Sequence, residues 1–79
     1  MQGKRIADNT CPKNPGEYSK FITWCVMNPN GGLGSLTHTV TEHPDGTITV
    51  VPSILHHAPK DKPTEGWHGF LENGILRTC

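Results

Sequence analysis

The apolar and polar residues of the C-terminal half alternate with a period of two, which is typical of half-buried β-strands. Residues 36–42 and 47–51 show this alternation on either side of His43-Pro44-Asp45-Gly46. Proline presets φ for the first turn position and glycine supplies a left-handed residue, so the segment predicts a β-hairpin. We expect His43 to pair with Thr47. The core face of this hairpin then carries Val40, Ile48 and Val50, and the other face carries Thr39, Thr41, Thr47 and Thr49.

A second hairpin is predicted over residues 66–79. Asn73-Gly74 is the pair that most readily takes positive φ at both central positions of a type I′ turn, whose twist matches that of the flanking strands. A two-residue loop also fixes the register, with Phe70 opposite Arg77 and His68 opposite Cys79. We therefore expect an imidazole and a thiol side by side on one face of the sheet.

The N-terminal part of the chain gives a weaker pattern. Residues 1–19 have almost no apolar content and are predicted to be an irregular arm. Residues 21–27 are rich in β-forming side chains and precede Asn28-Pro29-Asn30-Gly31-Gly32, so they predict one strand followed by a turn. The glycines of that turn are not followed by Gly-Lys-Ser, and we interpret them as a hairpin connection and not as a phosphate-binding loop.

Pro52-Ser53 is expected to end the central strand, with a short extended piece after it and a polar loop over residues 58–66. Together these segments predict an all-β fold, a small antiparallel meander of five or six strands built from hairpins. The predicted organisation is an irregular N-terminal arm over residues 1–19 and a single small β domain over residues 20–79.

Composition narrows the classes of protein further. The chain has 79 residues, 33% hydrophobic and 18% charged, with nine glycines, seven prolines and a net charge of zero. Duplex nucleic acid binding relies on clustered basic residues, so neither that function nor a strongly acidic DNA mimic is expected. No apolar run approaches the roughly 18 residues that span a bilayer, and we expect no membrane association and a cytoplasmic location. Three cysteines cannot form a complete set of disulfides.

Five histidines and three cysteines raise the question of a zinc site. Structural zinc sites commonly use closely spaced pairs such as Cys-x-x-Cys, which this chain lacks. The best constellation is His68 with Cys79, joined by Cys25 or Cys11 and by His56 or His57. The alternative is that the thiols act as small apolar residues and the histidines lie on the surface. We expect no cofactor, with zinc as the alternative. The candidate metal ligands are His68, Cys79, Cys25 and His57.

The pattern favours recognition over catalysis. Ser53 can be paired with His56 or His57 and Asp61, but no strand-turn-helix elbow surrounds it, so the chain is predicted not to be an enzyme. Trp67 shares a strand face with Leu71 and Leu76, which makes it a core residue unless that face is left uncovered. The aromatic content of 6% is too low for a base-stacking platform. The candidate binding residues are Trp67, Phe70, Trp24 and His38.

Two stretches carry a resemblance to a known group of proteins. Thr-Val-Val-Pro-Ser-Ile at residues 49–54 and Gly-Trp-His-Gly-Phe-Leu-Glu-Asn-Gly at residues 66–74 resemble a family of small uncharacterised phage and bacterial proteins. Its members share an Asp-Gly-Thr-x-Thr-Val-x-Pro-Ser-Ile strand and a terminal Trp-His-Gly-Tyr/Phe-Leu-x-x-Gly hairpin. A related bacterial branch looks metal-binding, with Cys-His at the start of the last hairpin and a Cys near its end. Trp67 stands in place of that cysteine here, whereas His68 and Cys79 match.

The resemblance implies a phage or prophage origin and a compact β domain. Phages encode many short proteins that block host defence or alter host machinery. We therefore expect a non-enzymatic binding protein that inhibits or sequesters a host defence factor or signal in the host cytoplasm. The expected partner is a host protein or a small-molecule ligand, and a homo-oligomer is expected. The alternative is a zinc-stabilised structural or virion-associated domain.

Overall fold

The computed structural model describes residues 1–36 and 38–79 and confirms the all-β class. Two four-stranded sheets form, with strand order β1-β2-β3-β4 in the first and β5-β6-β7-β8 in the second. The described part of the chain contains no helix that is long and apolar enough to cross a membrane. The strands are β1 (Lys4–Arg5), β2 (Glu17–Phe21), β3 (Thr23–Met27), β4 (Leu33–Ser35), β5 (Thr39–Glu42), β6 (Ile48–His56), β7 (Trp67–Glu72) and β8 (Ile75–Thr78), with a 3₁₀ turn at Pro63–Glu65.

The second sheet has the predicted register in both hairpins. Val40 pairs with Val50, and the His43 amide donates to the Thr47 carbonyl at 2.8 Å. In the closing hairpin Phe70 pairs with Arg77, and the turn at Asn73-Gly74 has φ of 49° and 76° at its two residues. Thr37, which falls within the first predicted strand, lies outside the described residues.

Strand β6 does not end at Pro52 as predicted. It continues to His56, and its register with β7 shifts between Val50, which pairs with Leu71, and Ile54, which pairs with Gly69. Proline lacks the amide proton that a regular ladder needs, but an irregularity in the pairing leaves room for it. The Val51–Pro52 peptide bond is cis.

The segment predicted as an irregular arm contains β1 and the start of β2. Lys4–Arg5 pairs in parallel with β2, while the Gly3 amide donates to the Gly74 carbonyl at 2.8 Å. A side chain at Gly3 would collide with that carbonyl, so the close approach requires glycine. The N-terminal segment thus joins the two sheets. Hydropathy gave no sign of this because only backbone groups make these bonds.

The single strand predicted over residues 21–27 is two strands, β2 and β3. The chain reverses at Ile22, which has a φ of 63° and is 91% exposed, and Phe21 pairs with Thr23 across the turn. A run of β-forming residues without Gly, Pro or Asn hides such a turn, because β-branched residues rarely take positive φ.

The hydrophobic core lies between the two sheets. The first sheet contributes Tyr18 and Val26, and Leu36 comes from the connection between the sheets. Trp24 and Val40 are partly buried against the same cluster. Its members from the second sheet are Ile48, Val50, Ile54, Trp67, Leu71 and Leu76.

Candidate functional site

The outer face of the second sheet is the side turned away from the core. In β7, Trp67, Gly69 and Leu71 are buried while the intervening His68 and Phe70 are exposed, as alternation along a strand requires. This outer face has several exposed apolar side chains. They are Val51, Leu55, Phe70 and Ile75, of which Val51 and Leu55 are 57% and 55% exposed.

A shallow depression of about 200 Å³ lies on this face next to the irregular stretch of β6. Phe70 forms one wall, and Val51-Pro52 forms another. Its volume is below the range of about 300–1,000 Å³ that is usual for small-molecule sites. The depression is therefore suited to receiving a side chain of another protein. The remaining lining residues are Thr49, Val50 and Glu72.

Two polar pairs lie on the outer face. Ser53 Oγ and His68 Nε2 lie 3.1 Å apart. The Arg77 guanidinium lies 5.3 Å from the centre of the Phe70 ring and donates to the Glu72 carboxylate. Because Glu72 and Arg77 carry opposite charges, this ion pair adds no net charge to the face.

The register brings two of the predicted metal ligands together. The Cys79 amide donates to the His68 carbonyl at 3.0 Å, and both residues are exposed. Cys25 is buried in β3, where its Sγ lies 3.5 Å from the Thr23 carbonyl oxygen, and His57 is exposed after β6. Residues 1–36 and 38–79 contain no group of three or more His, Cys, Asp or Glu side chains placed to hold a metal ion. The four candidate ligands therefore do not form one cluster.

The structure places Trp67 in the core and not on a binding surface. Trp67 is 5% exposed, and its Nε1 donates to Thr78 Oγ1 at 2.9 Å. A side chain at Gly69 would overlap the indole ring, so the small residue makes room for it. The first sheet covers this face, so Trp67 is the core residue expected for a covered face, and its side chain is not exposed for the binding role also considered for it.

Trp24 also packs inward, against the core. The Arg5 guanidinium lies 5.0 Å from the centre of its ring, while Arg5 Nη1 donates to Glu42 Oε2 at 2.8 Å and to the Gly46 carbonyl at 2.9 Å. Arg5 thereby connects β1 with the β5–β6 hairpin. The Trp24 ring stabilises this connection because the Arg5 guanidinium lies over it.

His38 belongs to a polar contact region between the sheets that also includes Asn28 and His56. Asn28 is fully buried, and its Nδ2 donates to His56 Nδ1 at 3.1 Å and to the Glu65 carbonyl at 2.9 Å. The ring atoms His38 Nδ1 and His56 Nε2 are buried without a hydrogen-bond partner among the described residues. Burial and the nearby charge of His38 lower the pKa of His56.

Sequence reasoning missed the contact of Ser53 with His68 and the exposure of Leu55. The sequence suggested His56 or His57 as partners of Ser53, because the predicted strand ended at Pro52. The pairing irregularity carries the strand onward and sets Leu55 opposite His68. Pro52 was the one signal for this irregularity, since proline inside a central strand is tolerated chiefly at bulges.

Comparison with protein-family models, with curated proteins and with solved structures gives no match to this chain. Of the predicted site residues, His68, Phe70 and Cys79 lie on this face. Cys25, Trp24, His38 and Trp67 do not belong to it.

Proposed function

We propose that this protein is a non-enzymatic binding protein of phage or prophage origin, and that the outer face of the second sheet binds a host protein. The observation that carries the proposal is the exposure of Val51, Leu55, Phe70 and Ile75 on one face. Exposed apolar side chains grouped on one surface are a feature of protein interaction sites. In keeping with the resemblance to phage proteins, the binding inhibits or sequesters a host defence factor.

The chemistry of the face supports a partner with an apolar, weakly charged surface. Phe70 beside the depression is the natural anchor, because aromatic side chains dominate the energy of many interfaces. Glu72 and Arg77 already neutralise each other, so the face has no excess charge to attract nucleic acid. The Ser53–His68 contact contributes polar groups between Leu55 and Phe70.

A binding role also fits the Ser53–His68 pair better than catalysis does. A serine nucleophile needs a base that a third group orients, together with donors for the developing oxyanion. Among the described residues no carboxylate is hydrogen-bonded to His68. The pair is therefore assigned to recognition.

The test compares two exposed leucines in strands. Leu55 lies on the proposed face and is 55% exposed, whereas Leu33 lies in the first sheet and is 49% exposed. Wild-type protein, Leu55→Glu and Leu33→Glu are each used to capture partners from host cells, and the captured protein is then purified and its affinity measured. We expect one protein to bind wild type and Leu33→Glu equally, and Leu55→Glu at least about tenfold more weakly.

Equal affinity for Leu55→Glu and wild type would overturn the proposal. Light scattering on the same samples supplies an independent outcome. A wild-type dimer that Leu55→Glu dissociates, with no host protein bound to either, would assign the face to self-association and reject the host-protein proposal. The same light-scattering experiment measures the oligomeric state and so tests the homo-oligomer expected from the sequence.

The adjacency of His68 and Cys79 favours a second candidate function, a zinc-stabilised structural domain. The pair supplies two of the four ligands that a tetrahedral zinc site uses. Native mass spectrometry of wild type and of Cys79→Ser distinguishes the two functions. A zinc mass in wild type that is absent from Cys79→Ser supports the structural role, and no metal in either protein rejects it.

A further inference from the structure

The two edges of the second sheet differ in whether another segment of the chain covers them. Alongside β8, the Leu76 amide donates to the Met1 carbonyl at 2.8 Å, and the Gly3 amide donates to the Gly74 carbonyl at 2.8 Å. Residues 1–3 thus pair with the β8 edge. The opposite edge is β5, the terminal strand of the sheet.

The outward backbone groups of β5 are those of Val40 and Glu42. The His43 amide donates to the Thr47 carbonyl, and in an antiparallel pair such bonds recur at every second residue. Thr41 therefore bonds to β6, whereas the amides and carbonyls of Val40 and Glu42 point away from it. Within residues 1–36 and 38–79 these outward groups have no hydrogen-bond partner.

Strand β5 also lacks the features that usually protect an exposed edge, which include lysine, proline and bulges. Its four residues pair regularly with β6 and contain neither Lys nor Pro. The one charged side chain is that of Glu42, whose Oε2 lies 2.8 Å from Nη1 of Arg5. The edge strands of the first sheet, β1 and β4, have only two and three residues. Strand β5 is therefore the edge best suited to pair with a further strand.

The positions of the outward groups fit a second copy of the same strand. Because Val40 and Glu42 flank Thr41 symmetrically, a two-fold axis at Thr41 sets Val40 of each copy opposite Glu42 of the other. Each copy then donates to and accepts from the other at both positions, so every outward backbone group gains a partner. The two Glu42 carboxylates lie on opposite sides of the axis, each beside its own Arg5, so like charges are not adjacent. Thr41 lies opposite Thr41 of the second copy, and such threonine pairs stabilise sheets.

We propose that two copies of this protein pair through β5 in a symmetric dimer, with the two second sheets joined into one continuous antiparallel sheet. The two-fold axis is perpendicular to the sheet, so the outer faces of both copies lie on the same side. Leu55 and Phe70 remain exposed, which makes the dimer independent of the host-protein proposal. Together with the proposed host-protein binding, the dimer presents two binding faces on one surface.

The test is sedimentation equilibrium at low salt and about pH 8, where histidines are neutral. We expect a monomer–dimer equilibrium for wild type, unchanged in Leu55→Glu. Thr41→Lys and Thr41→Glu each set like charges side by side at the axis, so each should weaken dimerisation about tenfold or more. An equimolar mixture of these two variants sets opposite charges side by side and should restore dimerisation. Thr39→Lys lies on the same exposed side of the strand but away from the axis, and it should dimerise as wild type does.

Three outcomes would overturn the proposal. The first is a wild type that is still monomeric at about 1 mM, which would exclude an affinity of that order. The second is a mixture of Thr41→Lys and Thr41→Glu that stays monomeric although wild type dimerises. The third is a dimer that Leu55→Glu dissociates and Thr41→Lys does not, which would place the contact on the outer face. A monomeric wild type that captures a host protein through β5, with capture lost in Thr41→Lys, would assign the edge to a host strand and equally reject the dimer.

Discussion

The two sheets share one core but differ on their outer faces. In the first sheet Tyr18 and Val26 point to the core, so Ser19 and Cys25 point outward, yet both are buried. The loop between β1 and β2 lies against Ser19, whose Oγ donates to the Thr10 carbonyl in that loop. Cys25 Sγ lies 3.5 Å from the Thr23 carbonyl oxygen and 4.0 Å from Ser35 Oγ. Within residues 1–36 and 38–79 no comparable segment covers the outer face of the second sheet, where Leu55 and its apolar neighbours are exposed. This exposure is the reason why we propose the second sheet as the binding face.

The difference between the buried outer face of the first sheet and the exposed outer face of the second is tested most directly by placing a charge on each face. Cys25→Asp is expected to destabilise the protein by about 3 kcal/mol or more, because an unpaired carboxylate becomes buried. Leu55→Asp is expected to change the stability by no more than about 0.5 kcal/mol, as is usual for exposed positions. The measurement is urea denaturation at pH 7.

Cys25→Ala is the control for loss of the thiol and separates the effect of charge from that of volume. If Leu55→Asp cost as much as Cys25→Asp, Leu55 would be covered in solution and the proposed binding face would not be free. If Cys25→Asp cost no more than Cys25→Ala, Cys25 would not be buried in solution.

The next largest effect is expected where the two sheets are joined. Asn28 Oδ1 accepts from the amides of Asn30 at 2.8 Å and Gly32 at 3.0 Å, and its Nδ2 bonds to the other sheet. Asn28→Ala leaves these buried groups without partners and is expected to cost about 2–3 kcal/mol. The matched control is Asn30→Ala, whose side chain makes one exposed hydrogen bond to the Gly66 carbonyl and should cost under about 1 kcal/mol. Equal losses in denaturation experiments would contradict the assigned role of Asn28.

The histidines at the same junction predict a pH dependence. Because the folded state lowers the pKa of His56 below its usual value of 6.5, the unfolded state binds more protons at mildly acidic pH. Stability should be constant above about pH 7 and fall as the pH drops through 6.5 toward the lower folded pKa. Denaturation midpoints between pH 8 and 5 measure this fall. The carboxylates with lowered pKa, Asp45 and Glu17, titrate below that window.

His56→Gln should flatten the pH profile, whereas His57→Gln, an exposed neighbour, should leave its slope unchanged. An unaltered slope in His56→Gln would show that His56 is not the source of the pH dependence. An effect of His57→Gln as large as that of His56→Gln would show that burial at the junction is not the cause.

How far the fold could be predicted differs between the sheets for a physical reason. In the second sheet, turn residues that favour left-handed φ fix the hairpin registers, and Asn73-Gly74 can be recognised as a turn from the local sequence alone. In the first sheet, the chain reverses at Ile22, a residue that disfavours the required φ, and β1 is held by backbone bonds at the Gly3 and Lys4 amides. These features depend on tertiary pairing, which alternation of side chains does not encode.

The candidate site likewise combines features that the local sequence determines with features that depend on tertiary packing. The exposure of Phe70 and the adjacency of His68 and Cys79 follow from one hairpin and could be predicted. The burial of Trp67 depends on the first sheet packing over it, and the exposure of Leu55 depends on the pairing irregularity near Pro52. Neither depends on local sequence alone.

The smallest expected effect compares Ile22, one of the exposed apolar residues of the first sheet, with Leu55 of the second. Ile22 is 91% exposed at the β2–β3 turn with φ of 63°, a conformation that costs a side-chain-bearing residue about 1–2 kcal/mol. Ile22→Gly removes this cost but gives the unfolded chain more freedom, worth about 0.4–1 kcal/mol. The net change in unfolding free energy should therefore lie between zero and a gain of about 1.6 kcal/mol. In contrast, Leu55 lies in regular strand, and Leu55→Gly should lower the unfolding free energy by about 0.5–1 kcal/mol, because no unfavourable φ is relieved.

Thermal and urea denaturation of both variants measure these changes in unfolding free energy. A loss above about 1 kcal/mol in Ile22→Gly would mean that the Ile22 side chain is packed in solution. The first sheet would then have a contact surface of its own, and the contrast between the two outer faces would no longer single out the second.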